Sequence, residues 1–455
     1  MSATDPITPA PRRFSIPRPL WLGLADGGGS LIWRSLSFRR LAYRFVAEIA
    51  FVCCYVSVWA VIPAAAEEPA PSRSLYHADP EHLWNRLHEA LFVREGPDGR
   101  PYGQDRLEPL LWAKSKYLLE ERSHERAMAL LGEFLKNKGE QLIDDPLKRA
   151  VLQRDLWLVF NWLEGLHRDF AEPKLTVEAA RAAHERLRGP LAAVIRRLAL
   201  SPPEIRDLPD NYAAAVASGQ FAKSFDLEKP DQTFLPIELF SADGPWVCVG
   251  RADGRTAPQH LREENPFTNS VFLVFVRLPA GRVAVADYLK HRPPFPPGTE
   301  LALVRRAMLI DTSHRIVPSS LTESVQIRTI RGGEVPSEFR LSRSQLFAGR
   351  GGGLRSSGNN DRDFKTGFLA HMWDEFEYRP SGRVFPDSSL QPMKRCSVCH
   401  TARFPEFQSG QGGMKGQDRP PYPLSEMPIS EVADAAIKWR EAQPNWKTLR
   451  KLLVE

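Results

Sequence analysis

Two cysteines and a histidine near the C-terminal end form the clearest chemical motif in the chain. Cys396, Cys399 and His400 follow the pattern Cys-x-x-Cys-His. Two thiols three positions apart can add to the two vinyl groups of one porphyrin, and the adjacent imidazole then lies under the iron as proximal ligand. From the composition, a chance match is expected on the order of once in a thousand such sequences. The motif therefore predicts one covalently attached haem c.

The first 66 residues have the order of an export signal. Arg34, Arg39, Arg40 and Arg44 precede an apolar run over 49–66, which ends in three alanines before a polar, proline-rich stretch. This order predicts a signal peptide cleaved after residue 66. The run is also just long enough to cross a bilayer, so an N-terminal membrane anchor is the alternative. Because haem c is attached outside the cytoplasm, leader and motif together predict a periplasmic protein, with anchoring to the inner membrane left open.

Composition and charge exclude several classes of protein. With 42% hydrophobic and 25% charged residues, the chain of 455 residues is globular rather than wholly disordered. Residues 1–66 hold seven of the 61 basic residues and three of the 55 acidic ones, which leaves 54 and 52 in the remainder. The net charge of +6 therefore belongs mostly to the leader, and no nucleic-acid partner is predicted.

Hydrophobic periodicity predicts an α+β protein, with an N-terminal helical bundle followed by an antiparallel β-rich domain and a C-terminal haem c attachment segment. Helical spacing recurs to about residue 225. One helix starts at Pro146, and its run Leu156–Phe160 with Trp162 and Leu163 is apolar all round, which predicts the central, buried helix of the bundle. The predicted divisions are 1–66 for the signal peptide or anchor, 67–75 for a linker, 76–228 for the helical domain, 229–390 for the β-rich domain, and 391–455 for the haem c attachment segment and C-terminal helices.

Short runs rich in β-branched and aromatic residues predict the strands of the second half. The predicted strands are 234–240, 246–249, 271–278, 282–286, 301–310 and 324–330. A glycine-rich stretch over 349–353 lacks the Lys-Ser/Thr of a phosphate-binding loop and is predicted to be a flexible surface loop. In the first helix, His82 and His88 with Glu81 and Glu89 are predicted to form a solvated face.

The motif and the leader resemble those of the c-type cytochromes. The resemblance implies that Cys396 and Cys399 form the thioethers and that His400 binds the iron. In the small cytochromes c the motif lies near the start of an all-helical domain, whereas here it lies near the C-terminus after predicted strands. That placement is similar to the lysine-crosslinked, hydroxylamine-oxidising cytochromes and their cytochrome c prime beta relatives, which would make Lys290 or Lys365 the crosslinking side chain.

The sixth iron ligand separates an electron carrier from a reactive haem, because an open position binds small molecules whereas a thioether or imidazole makes a low-spin carrier. Met427, ahead of a predicted helix, is the first candidate. Met414 and His371 are the alternates, and an open site is the remaining possibility. A redox partner protein or a membrane respiratory complex is the expected partner of a carrier, with membrane association through the N-terminal segment.

Other chemistries for the motif stay open at this stage. A zinc site could use Cys396, Cys399 and His400 with Cys248 or His371 as a further ligand. A redox-active or structural disulfide between the two cysteines is another possibility. The sequence thus predicts single-electron transfer by a haem c protein. The alternatives are a haem enzyme or gas-binding protein that acts on a small nitrogen or oxygen species, and a structural or zinc-binding protein of the cell envelope.

Overall fold

A computed structural model describes most of the chain that follows the predicted leader. The described residues are 74–95, 101–102, 105, 117–165, 176–229, 232–250, 269–291, 295–330, 337–356 and 424–455. They belong to one compact unit, Pro69–Glu455. Among these described residues no helix is long and apolar enough to cross a membrane. The leader predicted over 1–66 lies outside them.

The helices of the first half follow the predicted periodicity. They are α1 (Leu83–Phe92), α2 (Glu121–Lys136), α3 (Pro146–Gly165), α4 (Val177–Arg197), α5 (Pro202–Arg206) and α6 (Asn211–Ala217). As predicted, α3 is buried on nearly all sides between residues 150 and 164. It packs against α4 and also against the sheet, so all residues over 150–161 are buried, which explains the apolar run that starts at Leu156.

Seven strands form one antiparallel sheet, which confirms the predicted α+β class. They are β3 (Val247–Gly250), β4 (Ser270–Arg277), β5 (Glu300–Ile310), β6 (Ile316–Thr329), β7 (Ser337–Leu341), β8 (Leu354–Ser356) and β9 (Ser425–Glu426). Their order across the sheet is β8-β7-β6-β5-β4-β3-β9. Two further short strands, β1 (Arg94–Glu95) and β2 (Pro101–Tyr102), pair only with each other among the described strands.

The remaining helices connect or follow these strands. They are α7 (Arg282–His291), α8 (Arg343–Phe347), α9 (Ile429–Ala442) and α10 (Pro444–Val454). The last two are C-terminal helices of the predicted 391–455 segment, and they pack on the sheet and on the helices of the first half.

Both faces of the sheet are covered, as β4 shows. Its residues Val271, Leu273 and Phe275 belong to the large core shared with the helices, while Val274 and Val276 belong to a second core with α7. Because successive side chains of a strand point to opposite faces, a strand covered on both sides has a continuous apolar sequence. The helices of the first half therefore share one core with one face of the sheet, and α7 packs in a second core on the other face.

Two of the predicted strands are wrong. The 282–286 segment belongs to helix α7, in which Val285, Tyr288 and Leu289 face the second core while Val283 is 90% exposed. Valines at alternate positions imitate a strand over so short a stretch. In 234–240, Phe234 makes a single bridge and residues 237–240 form a turn. Pro236 lacks the N–H that a strand needs there.

The predicted flexible loop at 349–353 is also corrected. Gly352 and Gly353 are buried, and Gly352 has a φ of +60°. A Cβ atom on Gly352 would lie 1.8 Å from the backbone oxygen of Asn211, and the side chain of Asn211 donates a hydrogen bond to the backbone oxygen of Gly352. The glycines thus allow a close approach to α6, which no other residue type permits.

Candidate functional site

The predicted haem-binding residues lie mostly outside the described part of the chain. This applies to Cys396, Cys399 and His400, to the alternate ligands Met414 and His371, and to Lys365. The described chain leaves the sheet at β8 and returns to it at β9, and these are its two edge strands. With seven strands about 4.8 Å apart, the edges are separated by roughly 30 Å. The described strands on either side of 357–423, β8 and β9, therefore lie at opposite edges of the sheet.

Met427, the first candidate for the sixth ligand, is described and lies directly after β9. Its backbone N–H donates to the backbone oxygen of Cys248 at 3.0 Å. Its side chain is half-buried at the margin of the large core. The residue is therefore held at an edge of the sheet, at the end of the sequence that carries the motif.

Cys248, a possible further zinc ligand, is a buried free thiol in β3. Burial raises its pKa to about 12, and the negative charge of Glu426 adds to the rise. Metal binding requires the thiolate, so this environment disfavours a ligand role. Among the described residues no group of three or more His, Cys, Asp or Glu side chains is placed to hold a metal ion.

Lys290, a possible crosslinking residue, lies in the last turn of α7 and is exposed. None of the described contacts brings it to the candidate ligand Met427. The crosslinking role remains a prediction from the placement of the motif.

The solvated face predicted for α1 is wrong in part, because His88 is only 3% exposed. Its ring stacks on Phe92 and meets Tyr76 edge to face. Burial, aided by the positive charge of Arg343, holds the pKa of His88 well below its usual value. His82 has a different role, since its Nδ1 accepts the backbone N–H of Trp84 at 3.3 Å and caps the helix.

The structure brings together two buried carboxylates that the sequence analysis does not single out. The first is Asp155 in the middle of α3, whose Oδ2 accepts a hydrogen bond from the guanidinium of Arg343 at 2.7 Å. Both side chains are fully buried. Burial raises the pKa of Asp155 to about 6, although Arg343 opposes the rise. Asp155 can therefore change its protonation state just below neutral pH.

The second buried carboxylate is Glu323 in β6, and it forms ion pairs with two arginines. Arg154 Nε lies 2.6 Å from one carboxylate oxygen and Arg305 Nε lies 3.0 Å from the other. Ser270 donates to the latter oxygen at 2.5 Å. Burial alone would raise the pKa of Glu323, but Arg154 and Arg305 lower it below the usual value. Glu323 therefore remains ionised and ties α3 to three neighbouring strands.

A sequence signal for this pair of sites exists, since Arg154 and Asp155 are adjacent charged residues directly before the apolar run that starts at Leu156. Charged side chains are rarely buried unless they are paired. The partners Arg343, Arg305 and Glu323 are 150 or more residues away in sequence, so only the fold identifies them.

No family model, curated protein or solved structure matches this chain. The functional assignment therefore depends on the chemistry of the chain's own residues.

Proposed function

We propose that the mature chain binds one haem c through Cys396 and Cys399, with His400 as proximal iron ligand, and that it acts in single-electron transfer in the periplasm or at the outer face of the inner membrane. The observation that carries the proposal is the Cys-x-x-Cys-His motif in a chain that begins with an export-type leader.

The chemistry of the donor set fits this cofactor. Two thiols at this spacing supply both thioether bonds, and an imidazole next to the second thiol supplies the proximal nitrogen. Bound haem c provides an iron that takes up and releases one electron. The residues of the chain hold the haem, exclude or admit a sixth ligand, and set the reduction potential through that ligand and through burial.

The position of Met427 supports its proposed role as sixth ligand. The hydrogen bond of its backbone to Cys248 fixes it to the rigid sheet, at the point where the sequence that carries the motif ends. A thioether held in this way would raise the reduction potential of the iron. The proposed partner of such a carrier is a redox protein or a membrane respiratory complex.

Covalent attachment is tested by producing the chain together with a haem-maturation system and measuring haem that survives denaturation. We expect one haem per chain, and we expect Cys399→Ser to weaken or abolish stable attachment because only one thioether could form. The matched control is Cys248→Ser, which should keep its haem since that thiol is buried in β3. A colourless wild-type protein, or full haem retention in Cys399→Ser, would contradict the proposal.

Carbon monoxide distinguishes the carrier from the alternative haem enzyme or gas-binding protein. We expect the ferrous wild type to resist carbon monoxide because Met427 occupies the sixth position, and Met427→Ala to bind it promptly and to have a lower reduction potential. Absorption spectra of the ferrous protein with and without the gas measure the binding, and a potentiometric titration measures the reduction potential. Prompt binding and a high-spin resting state in the wild type would favour the enzyme or gas-binding function instead.

A further inference from the structure

Six buried side chains meet where the C-terminal helices pack against α3 and the start of β4. We refer to them as the indole–amide cluster, and they are between 0% and 7% exposed: Trp157 and Asn161 on α3, Asn269 before β4, Arg440 on α9, and Asn445 and Trp446 on α10. Trp157 and Asn161 are one helical turn apart, so they lie on the same face of α3.

Arg440 sets the orientation of the amides because a guanidinium can only donate hydrogen bonds. It donates to the side-chain oxygens of Asn161 at 2.5 Å and of Asn445 at 2.6 Å. Each of these oxygens accepts a second donor, which is Asn445 Nδ2 for Asn161 and the backbone N–H of Trp446 for Asn445. Both amide oxygens are therefore fully used.

With the amides in this orientation, the cluster contains more buried hydrogen-bond donors than acceptors. Asn161 must present its Nδ2 to Asn269, whose Oδ1 accepts it at 2.6 Å. The Nδ2 group of Asn269 then has no acceptor among the described residues. The same holds for Nε1 of Trp157 and Nε1 of Trp446, whose rings lie 5.5 Å apart. A buried donor without an acceptor is costly, so three in one cluster indicate an acceptor that is not a side chain of the described residues.

We propose that the indole–amide cluster binds a small monovalent inorganic anion such as chloride beside Trp157 and Trp446. An anion only accepts hydrogen bonds, whereas a water molecule must also donate its own two hydrogens. The amide oxygens that could receive them are already used at Asn161 and Asn445. The guanidinium of Arg440, 5.4 Å from the ring of Trp157, adds the positive potential that an anion requires.

The bound anion has a structural consequence for the C-terminal helices. The donors come from α3, α10 and the residue before β4, which are distant in sequence. A shared acceptor joins them, so anion binding strengthens the attachment of α9 and α10 to the core. Since a ligand that binds only the folded state stabilises it by mass action, stability should depend on the halide concentration.

Thermal unfolding of the full mature chain tests the proposal, with sodium chloride or bromide compared against sodium gluconate at equal ionic strength. We expect the halides to raise the unfolding midpoint by ~2–4 °C in a saturable way and gluconate to have no such effect. Trp446→Phe should lose this response because it removes the indole N–H. The matched control is Trp84→Phe, since the buried Nε1 of Trp84 already donates to the backbone oxygen of Gly139 at 2.7 Å. This control should be less stable but keep the halide response.

Asn269→Asp provides a second test that does not remove a large side chain. Its new carboxylate oxygen takes the position of the Nδ2 donor and supplies the missing negative charge, so the variant should fold without halide and show no halide response. In crystals soaked in bromide, an anomalous peak beside Trp446 is expected in the wild type and not in Asn269→Asp. An equal response to gluconate, an unchanged response in both variants, or the absence of the bromide peak would overturn the proposal.

Discussion

Asp155 in α3 and Glu323 in the neighbouring strand β6 are both fully buried carboxylates, yet their surroundings shift their pKa values in opposite directions. Asp155 has Arg343 as its hydrogen-bonding arginine, and burial raises its pKa to about 6. Glu323 faces Arg154 and Arg305 and accepts a hydrogen bond from Ser270, and its pKa is lowered. Burial opposes the charged form in both places. The comparison shows that in this interior one directly bonded arginine does not offset burial, whereas two arginines and a hydroxyl do.

The largest effect is expected when Glu323 is neutralised. Glu323→Gln leaves Arg154 and Arg305 buried without their shared carboxylate, and removing one partner of a buried ion pair costs about 3–5 kcal/mol. The free energy of unfolding in denaturant measures the loss. The control is Glu238→Gln, because Glu238 is exposed and its replacement should change stability by less than about 0.5 kcal/mol. Equal, small losses in the two variants would show that the Glu323 network contributes little.

A smaller effect is expected from the pH dependence of Asp155. Its pKa is raised from 3.8 to about 6 in the folded protein, so the folded state binds the proton more tightly than the unfolded state. Stability from this group is therefore fully present below the unfolded-state pKa of 3.8 and is lost as the pH rises through about 6, by roughly 3 kcal/mol in total. Glu323 has the opposite sign, since its contribution is lost as the pH falls below 4.5 through its lowered pKa.

The difference in unfolding free energy between the wild type and Asp155→Asn isolates this group. The stability advantage of the wild type over Asp155→Asn should fall by roughly 2.5 kcal/mol between pH 4 and pH 7. The comparison with Asp155→Asn is needed to remove the contribution of His88. The pKa of His88 is lowered by burial, so this residue destabilises the fold as the pH falls below 6.5. A difference that is constant or that increases with pH would mean that Arg343 does offset the burial of Asp155.

The regular elements could be predicted where one period continues over many residues. Helix α3 begins at Pro146 as predicted, and β4 and β5 lie within about a residue of the predicted ranges. The prediction fails where a segment is too short for its period to be distinctive, as in α7. It also misses β7, whose residues Glu338 and Arg340 are buried as a pair although their charges are typical of exposed positions.

In the candidate site, too, local sequence predicts some features and misses others. The Cys-x-x-Cys-His motif is local, so five consecutive residues are enough to predict its chemistry, and this prediction awaits the haem measurements. The roles of His88 and Cys248 depend on what surrounds them. His88 is buried beneath Tyr76, and Cys248 lies in a strand that pairs with β9, so their altered pKa values follow from packing that no local pattern encodes.

The sequence by itself determined most of the helices and the long central strands, and it predicts the residues that would hold a haem, because side-chain period and ligand spacing are properties of neighbouring residues. Only the tertiary structure decided which charges share the interior. The partner of Asp155 and the two arginines of Glu323 are brought together from distant parts of the chain. Whether a buried carboxylate is ionised depends on the sum of its desolvation and of the charges within a few ångströms, and that sum exists only in the folded protein.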